Sequence, residues 1–158
     1  LSLYLASYLP VLGVIAMATP HEMHDPMVRR LRPILPLLSI IYKSRAKESS
    51  GIIDPVALQL HVDYPGYPVR GGYEIQELLA EMRSRLSRMN KPTLLINSKL
   101  DKNVPSDHAQ AIYEALPSSD KQILMLEEGG HNIPRDLSRR TAFSAVGDFI
   151  QRLASETA

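Results

Sequence analysis

The sequence predicts an α/β domain in which parallel strands are flanked by helices and interrupted by one inserted segment. Three observations predict it. Short apolar runs alternate with segments of helical periodicity. A proline-rich stretch, from about residue 20 to residue 73, breaks this alternation once. The strand-like runs at 93–97 and 123–126 each lead into a loop with a polar residue suited to catalysis, as expected at the carboxyl ends of parallel strands.

The first elements are a helix and a buried strand. Apolar residues at helical spacing predict a helix over residues 1–9, which Pro10 ends. Residues 11–18 (VLGVIAMA) form a continuous apolar run, typical of a strand that is covered on both faces in a parallel sheet. Because Leu1 is no initiator methionine and lies inside this alternation, we expect the chain to be the C-terminal part of a larger fold.

The inserted segment, about 20–73, holds most of the twelve prolines, and we interpret it as a cap or lid. Residues 37–47 within it predict a short helix. Arg29, Arg30 and Arg32 stand beside an apolar stretch, a pattern that fits either a membrane-surface helix or a lid over an acyl pocket. The prolines favour the lid, so no stable membrane association is expected.

Regular alternation resumes after the cap, and the connections predict right-handed crossovers between parallel strands. Asp136 is interpreted as the N-cap of the final helix, which extends to Leu153. The predicted elements are a helix over 74–89, a strand over 93–97, a helix over 105–116, a strand over 122–128 and that final helix.

Composition excludes several classes of function. The net charge is +1, which gives no strong field toward nucleic acid. There is no cysteine, so thiol catalysis and disulfides are excluded. No glycine-rich phosphate loop follows a strand, which disfavours a nucleotide-binding domain, and no cofactor is expected. We expect a cytoplasmic protein, with secretion left open because the N-terminus is not visible.

Asp101 and His131 are the candidate catalytic residues. Each follows a predicted strand, and one helix and one strand separate them, so neighbouring parallel strands would bring their side chains together. A histidine that exchanges a proton with a nucleophile, oriented by a carboxylate, is the second half of a Ser–Asp–His triad. Taken singly, Asp101 could bond its own loop backbone and His131 could be a solvated turn residue. Their joint placement favours catalysis.

The stretch KPTLLINSKLDKNVPSDHAQAIYEALPSSDKQILMLEEGGHNIPRD carries a more specific likeness. It resembles the C-terminal region of bacterial carboxylesterases and monoacylglycerol-lipase-like α/β-hydrolases, in which one strand leads to the acid of D-x-x-V-P and a later strand to G-H. Asp101 and His131 fall on those two positions. The likeness extends over about 74–153. Residues 1–20 resemble the helix after the nucleophile and the next strand.

The resemblance implies the C-terminal part of an α/β-hydrolase fold and a carboxylic ester hydrolase that acts on small acyl esters. It also implies a serine on a G-x-S-x-G elbow before Leu1 and an oxyanion hole that this chain lacks. No serine here has the elbow's flanking glycines. We therefore expect the chain alone to be inactive and to need the missing N-terminal half of the fold as its partner. A monomeric, cooperatively melting 158-residue protein would count against this expectation.

Other candidate residues come from the cap and its entrance. His21, Met17, Tyr64 and Tyr67 are predicted to contact substrate, with core packing as the alternative for the apolar members. His21 and His24 form a His-x-x-His pattern that lacks the ordered spacing of known zinc motifs, so no metal is expected.

Other functions remain open at this point. The same acid and histidine positions serve peptidases and thioesterases and, with an aspartate nucleophile, dehalogenases and epoxide hydrolases. A non-catalytic hydrolase-like binding module is the alternative from a different class of function.

Overall fold

A computed structural model describes residues 1–47 and 49–156, and helices and strands alternate along them. In chain order the elements are α1 (Ser2–Ala6), β1 (Val14–Met17), α2 (Pro26–Arg30), a 3₁₀ turn (Arg32–Ile34), α3 (Leu35–Ile41), β2 (Ser44–Ala46), α4 (Pro55–Gln59), β3 (Gly66–Pro68), α5 (Val69–Leu86), β4 (Thr93–Ser98), α6 (Asp107–Ala115), β5 (Lys121–Leu126), a second 3₁₀ turn (Ile133–Arg135) and α7 (Arg139–Glu156).

The main sheet has three parallel strands in the order β1-β4-β5. Val14 lies beside Thr93, and Thr93 lies beside Lys121 on the other side, so the amino ends of all three strands are level. The central strand β4 is buried along its whole length, which explains why the apolar residues Leu94, Leu95 and Ile96 follow one another without alternation. The predicted α/β class with parallel strands is confirmed.

Helices cover both faces of this sheet. Two successive crossovers, through α5 and α6, place their helices on the same face, as right-handed connections require. The buried residues of that face come from α1, β1, β4, α5, α6 and their ends: Leu3, Ala6, Val14, Ala16, Leu79, Met82, Leu86, Met89, Leu95, Ile112 and Leu116. On the other face, α7 packs with Ala142, Phe149 and Leu153 against Leu94, Ile96 and Leu126.

The cap region contains a small antiparallel ribbon in which β2 pairs with β3. Arg45 lies opposite Tyr67. The predicted helix over 37–47 is therefore wrong beyond Ile41, where α3 ends, because residues 44–46 pair with a strand distant in sequence. Residue 48 of this segment lies outside the described part of the chain.

Several helices begin at other residues than the sequence predicts, and the difference is largest at α5. The helix α5 begins at Val69 rather than at Glu74, and its early glycines pack beside Pro68 and Val28, so tertiary contact overrides the turn propensity of Gly71-Gly72. The helix α7 begins at Arg139.

The order β1-β4-β5 leaves β1 at the end of the sheet, with no strand of the described residues on its other side. Leu12, two residues before β1, is an apolar residue that is 61% exposed. An unpaired strand edge next to apolar surface normally pairs with another strand or is covered. None of the helices in residues 1–47 and 49–156 combines the length and apolarity needed to cross a membrane.

Candidate active site

The carboxyl ends of β4 and β5 bring Asp101 and His131 together. Ser98 lies beside Leu126 at the end of the paired strands, and the ladder continues with a bond from Lys99 N–H to the Leu126 carbonyl. Beyond it, His131 Nδ1 lies 2.9 Å from Asp101 Oδ2. The two residues are 30 positions apart in sequence, and they come into contact because the loops that follow the paired strands β4 and β5 lie side by side.

The Asp101 carboxylate is held in a single orientation. Its side chain is fully buried, whereas that of His131 is 37% exposed. Its Oδ1 accepts hydrogen bonds from the backbone N–H groups of Asn103 (2.8 Å) and Val104 (2.9 Å). These bonds occupy one carboxylate oxygen and leave Oδ2 for the imidazole. Asp101 therefore bonds the backbone of its own loop and His131 at the same time.

This geometry selects one imidazole tautomer. An ionised carboxylate only accepts hydrogen bonds, so Nδ1 of His131 carries the proton that Asp101 Oδ2 accepts. In the neutral ring, Nε2 then has a free lone pair. The pair has the arrangement of a general base and its orienting carboxylate.

The segment 127–132, named here the His131 loop, is shaped by two glycines and a serine. Gly129 has a φ of +86°, a conformation that side chains rarely adopt. A Cβ at Gly130 would lie 2.5 Å from the Gly51 carbonyl oxygen, so only glycine fits. The buried Ser98 hydroxyl donates to the Gly129 carbonyl at 2.5 Å and thereby ties the loop to the end of β4.

Sequence reasoning missed the role of Asp136, which is not a simple N-cap. Its side chain is fully buried and accepts four backbone N–H bonds. Oδ2 accepts from Ile53 (2.8 Å) and Gly130 (2.7 Å), and Oδ1 from Asp54 and Leu137, both at 2.8 Å. Burial by itself raises the pKa of this carboxyl, but the four donors outweigh it, so the pKa lies below its usual range.

We expect the free energy of unfolding to fall as the pH drops below about 4, in part because of Asp136. The ionised carboxylate is favoured in the folded state, so this contribution is present above the unfolded pKa and is lost as pH falls through the lowered folded pKa. One such group changes the slope by at most about 1.4 kcal/mol per pH unit. Urea denaturation at a series of pH values measures it.

In the variant Asp136→Asn, the contribution of Asp136 to the pH dependence of the free energy of unfolding should be absent. Asp148→Asn, on the exposed side of α7, removes the same charge without touching a buried donor and should keep the wild-type slope. Equal slopes in the wild type and in Asp136→Asn would contradict the prediction.

None of the described hydrogen bonds joins the four residues predicted to contact substrate to Asp101 or His131. Met17, at the end of β1, packs against the apolar cluster under α7. Tyr64 and Tyr67 are in the cap and are 85% and 53% exposed. Their contact with substrate stays a prediction.

His21 lies at the start of the inserted segment, beside the buried His108. Its N–H donates to Nδ1 of His108 at 3.1 Å, and its carbonyl accepts from Arg83. Burial, followed by the charge of Arg83, holds the pKa of His21 below its usual range. Among residues 1–47 and 49–156, no three His, Asp or Glu side chains are grouped to hold a metal ion.

A parallel sheet with an acid and a histidine beyond adjacent strand ends is the arrangement of the α/β-hydrolases, and it defines the class of this protein. The family profile described as "Serine aminopeptidase, S33" matches residues 4–138, so the chain belongs to that family.

Several known proteins are similar to this chain. A carboxylesterase of Bacillus subtilis (strain 168) is 24% identical over 152 residues, which cover 96% of this chain and 59% of the esterase. A solved structure from work on the metagenome-derived lipolytic enzymes LipS and LipT has a TM-score of 0.82 at 22% identity, covering 95% of this chain and 60% of that one. The monoacylglycerol lipase of Paleococcus ferrophilus has a TM-score of 0.76 at 16% identity, with coverage of 94% and 63%.

These comparisons confirm the predicted resemblance to carboxylesterases and monoacylglycerol-lipase-like α/β-hydrolases. The solved structures establish the fold. The chain spans about 60% of the length of the relatives it matches.

Proposed function

We propose that the parent protein of this chain is a carboxylic ester hydrolase that works through a Ser–Asp–His triad, to which this chain contributes Asp101 and His131. The observation that carries the proposal is the 2.9 Å contact between His131 Nδ1 and the fully buried Asp101 carboxylate at adjacent strand ends. The nucleophilic serine and the oxyanion hole belong to a part of the parent protein outside this chain.

The triad chemistry assigns one task to each side chain. His131 Nε2 takes the proton of the serine hydroxyl as the serine oxygen attacks the ester carbonyl. The protonated imidazole then gives that proton to the departing alcohol, which leaves an acyl-enzyme. A water molecule, deprotonated by the same nitrogen, attacks the acyl-enzyme, releases the acid and restores the serine. Asp101 keeps Nδ1 protonated and stabilises the positive imidazolium during each step.

The open edge of β1 is a reason to expect a partner strand from the same fold. Its far side carries no strand among the described residues, and the apolar residue Leu12, which precedes it by two positions, is exposed. We propose that a parallel strand, the one that leads into the serine elbow, pairs with β1 in the parent protein. It would bring the nucleophile to the same carboxyl edge of the sheet as His131.

An exposed apolar surface on the cap is an argument for a substrate with an acyl chain. Leu37, Ile40 and Ile41 on α3 are 66%, 65% and 72% exposed. We propose that this face of the lid covers the acyl chain of a small or medium ester, because contact with an apolar ligand would remove it from water.

A fluorophosphonate probe on the full-length protein tests the serine mechanism. We expect covalent labelling of one serine on a G-x-S-x-G elbow, located by mass spectrometry, and hydrolysis of p-nitrophenyl butyrate. Prior treatment with the probe should abolish the hydrolysis. A folded full-length protein that neither labels nor turns over the ester would refute the proposal.

Aminopeptidase activity is the second candidate, because the matched family is described as a serine aminopeptidase. Both activities use the same triad, so the probe does not separate them. Turnover of aminoacyl p-nitroanilides in preference to p-nitrophenyl esters would favour the peptidase.

A further inference from the structure

A segment in the middle of the cap lies against the candidate general base. We name residues 49–54 the return strap, since they lead the chain from the β2 side of the cap toward α4. The strap is half-buried or buried from Ser50 to Ile52, and Ile52 is only 7% exposed. Its backbone carbonyl at Gly51 accepts a hydrogen bond of 3.1 Å from Asn132 N–H, the residue after His131.

Gly51 lies so close to His131 that a side chain at position 51 would force one of the two residues to move. Its φ is +73°, and a Cβ there would lie 2.8 Å from His131 Cβ and 3.0 Å from Asn103 Nδ2. The strap backbone therefore lies against His131 on one side, while Asp101 holds the imidazole through Nδ1. A shift of the strap would change the space available to His131.

Asp136 connects this strap to the His131 loop. One carboxylate oxygen, Oδ2, accepts from Ile53 in the strap and from Gly130 directly before His131. The other accepts from Asp54 in the strap. Asp54 in turn caps α4 and accepts a bond of 3.2 Å from Arg139 at the start of α7. Strap and loop are thus joined through one buried carboxylate.

We infer that Asp136 is a positioning residue for the reaction, because it holds the return strap against the His131 loop and so fixes the imidazole in line with Asp101. The inference rests on the proposed triad chemistry. The return strap and the His131 loop form one hydrogen-bonded unit, so a disturbance at Asp136 is transmitted to His131 without contact with substrate.

The first test is Asp136→Asn in the full-length protein. Asparagine keeps the shape but replaces one oxygen by an NH₂ group, which faces two N–H donors and breaks one pair of bonds. We expect kcat to fall about 10²-fold, as a misplaced catalytic group costs, with little change in KM. The far-downfield proton resonance of His131 Nδ1–H should shift or broaden. A purely structural role would lower the melting temperature and leave that resonance and kcat unchanged.

A matched control is Asp120→Asn. Asp120 also accepts two hydrogen bonds, from Arg152 at 2.8 and 2.9 Å, but it precedes β5 at the opposite end of the sheet. We expect wild-type kcat and an unchanged His131 resonance. A folded Asp136→Asn protein that behaves like this control would overturn the inference.

Gly51→Ala tests the same unit without touching Asp136 and decides the matter if Asp136→Asn fails to fold. The new methyl group would press on His131, so kcat should fall by a similar factor. Gly147→Ala, where a Cβ meets nothing within 4 Å, is the control and should keep full activity. Asp136→Asn and Gly51→Ala both act through the strap. The fold-loss of kcat in the double variant should therefore be smaller than the product of the fold-losses in the two single variants. Wild-type kcat in Gly51→Ala would also overturn the inference.

A failure of the proposed function can be distinguished from a failure of this inference about Asp136. If the wild-type protein neither labels with a fluorophosphonate nor hydrolyses esters, the triad chemistry fails. The His131 resonance is measured without substrate, so its response to Asp136→Asn and Gly51→Ala still decides whether Asp136 positions His131.

Discussion

Replacing His131 by glutamine in the full-length protein is expected to lower kcat for p-nitrophenyl butyrate by on the order of 10⁶. Glutamine keeps a polar side chain at this position but has no group that can take the serine proton. The loss should appear in kcat and kcat/KM alike, because the imidazole acts in the transition state and not in substrate binding. Steady-state kinetics with the wild type alongside measure it.

His61→Gln is the matched control for this experiment. His61 is also a histidine with polar partners, Asp63 and Arg135, but it belongs to the cap and not to the strand ends. It should retain kcat. A His131→Gln enzyme that keeps a tenth or more of the wild-type kcat would remove His131 from the mechanism.

Asp101→Asn is expected to lower kcat by on the order of 10⁴ without loss of folding. The asparagine oxygen can still accept the N–H groups of Asn103 and Val104, which bond Oδ1 in the wild type. The NH₂ group would then face Nδ1 of His131 and donate to it. The imidazole proton would move to Nε2, which removes the lone pair that accepts the serine proton.

A thermal melt separates this effect from unfolding, since the loop bonds to Asn103 and Val104 survive in the asparagine variant. Asp107→Asn, an exposed carboxylate in the first turn of α6, provides the control and should keep wild-type kcat. An Asp101→Asn enzyme with near wild-type kcat would mean that the carboxylate neither orients nor stabilises the imidazole.

The sequence was sufficient to predict the strand-end pair because its signals are local. Leu94, Leu95 and Ile96 are consecutive apolar residues, as expected of a strand covered on both faces, and β4 is buried at every position. One helix and one strand separate Asp101 from His131, and parallel pairing of β4 with β5 brings such residues to one edge. Fold class and the pairing of these two residues follow from periodicity and spacing.

The cap was less predictable. Residues 44–46 look like the end of a helix, yet they pair with residues 66–68 across the cap. The helix α5 begins at Val69, although Gly71 and Gly72 favour a turn, and both α1 and α3 pack onto this helix. Propensity is a weak local preference of roughly 1 kcal/mol per glycine, and tertiary contacts exceed it.

Asp136 shows why part of the site escaped sequence reasoning. An aspartate before a helix is a good N-cap candidate by local rules. Its carboxylate instead bonds Ile53, which is 83 residues away. Nothing in the spacing of Ser-Ser-Gly near residue 50 and Asp136 indicates that contact, although the Gly-Gly before His131 does point to a tightly packed loop.

The sequence by itself determined the α/β alternation, the buried central strand and the placement of Asp101 and His131 just beyond neighbouring strands. These depend on apolar periodicity and on connection length, which are written along the chain. Only the tertiary structure decided that Gly51 lies against His131, that Asp136 joins strap and loop, and that β2 pairs with β3. Those contacts depend on hydrogen bonds between segments far apart in sequence, whose partners become identifiable only after the sheet and its helices have brought them together.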